Sequence, residues 1–163
     1  MTLRSILLAG VLVLTPGCTR DLERFLGTYV STGEATLTFL GNELVQPYTD
    51  TVHVLEGTDS DIVLVSDQGC ALPAKVDEDI ATVVPNTSCT QKVSRPDGTT
   101  LEATLVVRSG TVTRSDKTLS LNYAGTVSVT YAGRPYSGAF FSTATLTRSA
   151  STAASAPSAA PSR

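Results

Sequence analysis

Leu101-Glu102-Ala103-Thr104-Leu105-Val106-Val107-Arg108 and, a short way on, Thr118-Leu119-Ser120-Leu121-Asn122-Tyr123 decide the fold. In the first stretch Leu101, Ala103, Leu105 and Val107 fall on one face, with Glu102, Thr104 and Arg108 on the other. In the second, Leu119, Leu121 and Tyr123 oppose Ser120 and Asn122. The same rhythm continues in Gly125–Tyr131, where Val127, Val129 and Tyr131 oppose Ser128 and Thr130. A period of two puts alternate side chains on opposite faces of an extended strand, so these are strands with one buried and one solvated side.

Working outward, the chain reads as β-structure from Gly27. Further strands are predicted at Gly27–Val30, Ala35–Leu40, Thr51–Glu56, Asp61–Val65, Ala71–Val76, Ile80–Val84, Gly110–Arg114 and Ser137–Leu146. Tight turns are predicted at Thr32-Gly33-Glu34, Gly41-Asn42, Asp67-Gln68-Gly69, Pro96-Asp97-Gly98 and Ser115-Asp116-Lys117, and Gly133-Arg134-Pro135 is predicted to break the sheet. No segment has helical periodicity long enough for a crossover helix, so parallel pairing is not expected. The fold class is therefore all-β. Its simplest form is an antiparallel meander of roughly eight to ten strands closing into a small barrel, which removes the sheet edges. A two-sheet sandwich is the alternative.

The N-terminal end has a different character. Arg4 is the one charge before an apolar run, Ile6–Leu14, and Thr15-Pro16-Gly17-Cys18 follows. A run of about nine residues suits a secretory signal; spanning a bilayer takes about twenty. Leu14-Thr15-Pro16-Gly17-Cys18 resembles the lipobox of bacterial lipoproteins, with Thr15 where Leu is usual. That resemblance implies cleavage after Gly17 and a diacylated Cys18, whose two chains suffice for stable anchoring. Thr19 after the cysteine, rather than Asp, favours the outer membrane. The expected organisation is a signal peptide at 1–17, a short tether at 18–26, a β-barrel at 27–148 and a disordered Ser/Ala/Pro tail at 149–163. In the tether, Leu22, Phe25 and Leu26 have the spacing of one helical turn across an opening of the domain.

With Cys18 carrying lipid, Cys70 and Cys89 remain as an even pair in an oxidising compartment, and a disulfide between them is expected. Their spacing does not fit a zinc motif. The 163-residue chain carries a net charge of -3; without the signal it has eleven basic and fifteen acidic residues, a net of -4. That balance argues against nucleic acid as a partner.

Phe25-Leu26-Gly27-Thr28-Tyr29 resembles the Gly-x-aromatic opening of lipocalin-like (calycin) barrels, with Tyr29 where Trp is usual, and a last strand ending at Arg148 is similar in outline. That resemblance implies a barrel whose interior binds a small apolar molecule, with Tyr29 at its floor. The signal and all-β body together also resemble the small uncharacterised lipoproteins of Gram-negative envelopes.

His53, the only histidine, lies in the alternating Thr51-Val52-His53-Val54-Leu55, opposite Val52 and Val54. No Gly-x-Ser-x-Gly elbow and no glycine-rich phosphate loop accompanies it. Asp59, Asp61 and Asp67, and Asp77, Glu78 and Asp79, read as solvated turns, since neither group has the EF-hand pattern. No cofactor and no enzyme activity are expected. Tyr131-Ala132-Gly133-Arg134-Pro135-Tyr136 is a candidate interaction loop, because Tyr and Arg are common interface anchors. It is comparable in size to the polar loops of small β-barrel lipoproteins that inhibit lysozyme, but carries no convincing copy of their motif. The expected function is a membrane-anchored binding module for a small apolar ligand, the alternative an envelope protein that binds or inhibits another protein.

Overall fold

Nine strands run between Gly27 and Arg148 in the computed structural model, which describes residues 22–94, 98, 100–131 and 133–149. They are β1 (Gly27–Phe39), β2 (Asn42–Glu56), β3 (Ile62–Ser66), β4 (Ala71–Asp77), β5 (Ile80–Val83), β6 (Thr87–Ser94), β7 (Thr100–Ser115), β8 (Thr118–Tyr131) and β9 (Arg134–Arg148). The signal segment 1–17, Cys18 and the tail beyond Ser149 lie outside the described residues, as do Pro96 and Asp97 of one expected turn. Among the described residues no helix is long and apolar enough to cross a membrane.

All the strands belong to one antiparallel sheet, ordered β5-β4-β3-β2-β1-β9-β8-β7-β6. The first strand pairs with the last along Tyr29–Thr38, and β5 pairs with β7 through Ile80–Thr82, so the sheet closes in a ring. A single sheet that returns on itself is a barrel-like body rather than the two-sheet alternative.

Several strands are longer than the composition predicts. Thr32-Gly33-Glu34 is not a turn: β1 passes straight through it, with Gly33 opposite Tyr48 on one side and Ala144 on the other. A Cβ on Gly33 would stand 2.1 Å from the Thr143 carbonyl oxygen. The glycine is there for close approach of neighbouring backbones, not for a reversal. The two segments expected at Leu101–Val107 and Gly110–Arg114 are one strand, β7, with a register shift between Val107 and Ser109. Likewise β8 runs through Gly125, whose missing Cβ would lie 2.0 Å from the Val106 carbonyl oxygen. Gly133-Arg134-Pro135 does not break the sheet as predicted, because Arg134 already pairs with Tyr131 and Pro135 with Thr130.

The sequence reading omits β6, whose Thr, Ser, Gln and Lys residues look like a loop. It forms because β7 offers it a full edge, from Thr87 opposite Val107 to Ser94 opposite Thr100. β5 and β6 lie along the same edge of β7, separated by Val84-Pro85-Asn86. Pro85 has no N–H for a ladder, and Asn86 has φ 62°, in the left-handed region. There β5 stays with β4, and among the described residues β6 keeps only β7 as its hydrogen-bonded strand neighbour.

The interior divides in two. At one end Phe25, Tyr29, Val54, Ile62, Ala74, Ala81, Val83, Val112, Leu119 and Leu146 are packed and buried. Burying a side chain such as Phe25 stabilises the fold by roughly 2–3 kcal/mol. Residues 22–25 make the plug, with the Phe25 N–H donating to the Leu22 carbonyl at 3.0 Å. Tyr29 donates its hydroxyl hydrogen to the Phe25 carbonyl at 2.9 Å. Arg148 Nη2 donates to the carbonyls of Arg24 (3.2 Å) and Leu26 (2.8 Å) and to the Tyr29 hydroxyl (3.0 Å). Its guanidinium carbon lies 5.5 Å from the centre of the Tyr29 ring.

Candidate functional site

The opposite half of the interior is not filled. The ends of β1, β2, β6, β7, β8 and β9 surround a cavity of about 940 Å³. Its base is the upper side of the packed core, at Val52, Leu64, Leu72, Leu105 and Leu121. Leu37, Phe39, Leu44, Val127, Val129 and Phe140 supply apolar walls. That size is within the range of roughly 300–1,000 Å³ usual for small-molecule sites.

Strand lengths explain the opening. β3 accompanies β2 only along Val52–Glu56, so among the described residues Asn42–Asp50 of β2 are paired only with β1. β6 likewise is paired only with β7. The lining takes consecutive residues from both strands, Leu44 through Tyr48 and Gln91 with Lys92. A strand seen face-on contributes every second residue, so the cavity reaches round both edges and opens sideways between them. Pro47 suits that unpaired edge, where its missing N–H costs nothing.

Cys70 and Cys89 are bonded as predicted, with S–S 1.99 Å and Cα atoms 5.1 Å apart. The bond joins the start of β4 to β6 across the foot of the opening, and Cys70 is itself part of the lining. It does there what ladder hydrogen bonds do elsewhere in the ring.

A polar group sits within the apolar walls. The Tyr48 hydroxyl and Ser142 Oγ are 2.9 Å apart. Tyr123 lies beside them in the lining. Burial first, and then the neighbouring Tyr48, push the Tyr123 phenol well above its usual range, so it stays protonated. The Tyr123 ring also meets Phe140 edge-on, with centroids 5.6 Å apart at 68°. On β2, Asp50 Oδ1 accepts the Thr51 N–H at 2.8 Å, and Oδ2 accepts the Ser66 hydroxyl. Ser66 Oγ in turn accepts the Gln68 N–H at 3.0 Å. This chain fixes the β3–β4 turn against β2.

The residues singled out in the sequence are elsewhere. His53 lies on the outer face, as its parity predicts. Its Nδ1 is 3.1 Å from Thr28 Oγ1 and its Nε2 is 3.2 Å from Asp67 Oδ1. Asp61 accepts from Lys75 Nζ at 3.4 Å and from the Val76 N–H at 2.8 Å, and Asp79 pairs with Arg114 at 2.8 Å. Among the described residues no group of three or more His, Cys, Asp or Glu side chains is gathered as for a metal ion. Arg134 is exposed and Tyr136 half-buried, both within β9.

Tyr48, Asp50 and Ser142 went unnoticed in the sequence. Their parity was the available signal. Tyr48 and Asp50, both half-buried, are in phase with the buried Val52 and Val54, and the buried Ser142 is in phase with the buried Phe140 and Ala144. No protein-family model matches the chain, and no curated protein sequence matches it.

Proposed function

We propose that the protein is a non-catalytic binding module that holds a small, largely apolar molecule in the open half of its barrel. The observation that carries this is the cavity of about 940 Å³, apolar in its walls and open between β2 and β6. A packed interior would have left the resemblance to lipocalin-like barrels without a use; an open one gives it a use. The non-catalytic part rests on the outward position of His53, away from the cavity's polar group. The lipobox-like Leu14–Cys18 supplies the address, a lipid-anchored protein of the cell envelope.

The test uses the full chain and N-phenyl-1-naphthylamine, a neutral apolar probe that fluoresces when it leaves water. Saturable enhancement at one probe per chain is expected. Ala35 lines the cavity on β1. Ala35→Trp should weaken the probe by about tenfold or more, a loss of at least about 1.4 kcal/mol, and leave the unfolding midpoint near that of the parent. No enhancement, or equal affinity in the Trp variant, counts against the proposal.

A further inference from the structure

A ligand that is apolar at one end still has to satisfy the other, and the cavity's charge says what that other end is. Among the described residues that line the cavity, Asp50 is the one acidic side chain and Lys92 the one basic. They are not equivalent. Asp50 is partly buried, on the inward parity of β2 between Tyr48 and Val52. Lys92 is exposed and stands in register with Glu102 of β7, on the parity opposite to the inward-facing Cys89.

The Asp50 carboxylate is also held in place. Each oxygen accepts one hydrogen bond, from the Thr51 N–H and from the Ser66 hydroxyl. A carboxylate has about four acceptor positions, so acceptor capacity remains on a residue that lines the cavity. The Tyr48 and Ser142 hydroxyls add acceptors, and the Tyr123 phenol, kept neutral by its burial, adds no competing negative charge.

We infer that the cavity takes an amphiphile with a protonated amine at its head, the ammonium meeting Asp50 beside the Tyr48 hydroxyl and the hydrocarbon lying along Leu37, Phe39, Leu44 and Val129. A fatty acid presents like charge to Asp50 inside walls that screen poorly, and is disfavoured. The inference rests on the cavity being the binding site.

The experiment displaces N-phenyl-1-naphthylamine from the full chain at neutral pH with dodecylamine, dodecanol or dodecanoate, each below its aggregation concentration. The amine is expected to bind about tenfold tighter than the carboxylate or better. Asp50→Asn should collapse that gap to within about threefold while dodecanol holds within about twofold, with far-UV circular dichroism showing the sheet intact. Asp50 also anchors the β3–β4 turn, so Ser66→Ala is the second variant: it removes the anchor, keeps the charge, and should keep the gap. Dodecanoate binding as tightly as the amine overturns the inference, as does a gap that survives Asp50→Asn or vanishes in Ser66→Ala. If the probe binds but no alkyl competitor displaces it, the amine reading fails alone. If the probe itself never binds, the cavity reading fails first.

Discussion

Arg148 ends the last strand, and its guanidinium reaches back to the residues just before and within the first. One nitrogen serves the carbonyls of Arg24 and Leu26 and the hydroxyl of Tyr29, with the guanidinium near the Tyr29 ring. Tyr29 then donates to the Phe25 carbonyl. Removing Arg148 leaves these acceptors to find other partners. Arg148→Ala should lower stability to urea by about 2 kcal/mol, and Arg148→Lys should recover less than half, because an ammonium lacks the planar fork and the stacking face. Equal stability of all three chains would show the contacts to be incidental. At this scale the sequence was partly readable. The alternation of Thr51–Leu55 put His53 outside, and Gly27-Thr28-Tyr29 put Tyr29 at the floor. Asp50 was not readable, because a polar residue counts as cavity-facing only once its strand is known to extend that far.

Strands were legible where alternation was clean, as in β7 and β8, and illegible where the barrel's curvature intruded. Gly33 and Gly125 look like punctuation in a linear reading. In the ring they are sites where a neighbour's carbonyl comes too close for a side chain. Gly33→Ala tests this directly. If Gly33 sat in an open turn with ordinary backbone angles, alanine would cost only a little. With a carbonyl oxygen 2.1 Å from the new Cβ, β1 and β9 must separate, and a loss of about 2–3 kcal/mol is expected by chemical unfolding. A change under about 0.5 kcal/mol, the usual effect of a neutral surface substitution, would mean that the sheet bends to accommodate it. The upper part of β2 was missed for another reason. Gln46, Pro47 and Asp50 have low strand propensity, and only pairing with β1 holds them extended.

For the molecule as a whole, the ring is hydrogen-bonded around its packed half and bridged by Cys70–Cys89 at the foot of its open half. Replacing both cysteines by serine should cost about 3 kcal/mol, from the loop of 19 positions that the bond closes in the unfolded chain. Probe affinity should fall with it, since β6 is then tied only to β7 near the opening. Reductant acting on the parent chain should reproduce both losses. An unchanged affinity in the double variant would place the cavity's shape in β1, β2, β8 and β9 alone. Even the cysteine pairing was legible, but not its position across the opening, which depends on where β3 stops and β6 turns away.

The plug at residues 22–25 gives the molecule a heading. β1 leaves the sealed end at Gly27 and reaches the open end at Phe39, so the polypeptide enters through the seal. Cys18 precedes Leu22 by four positions, a reach of about 14 Å at full extension. A lipid on Cys18 would moor the protein by its stern, the sealed end toward the bilayer and the opening turned from it. Traffic in and out of the barrel would then run across the aqueous gap to whatever lies opposite, rather than through the membrane that holds the mooring.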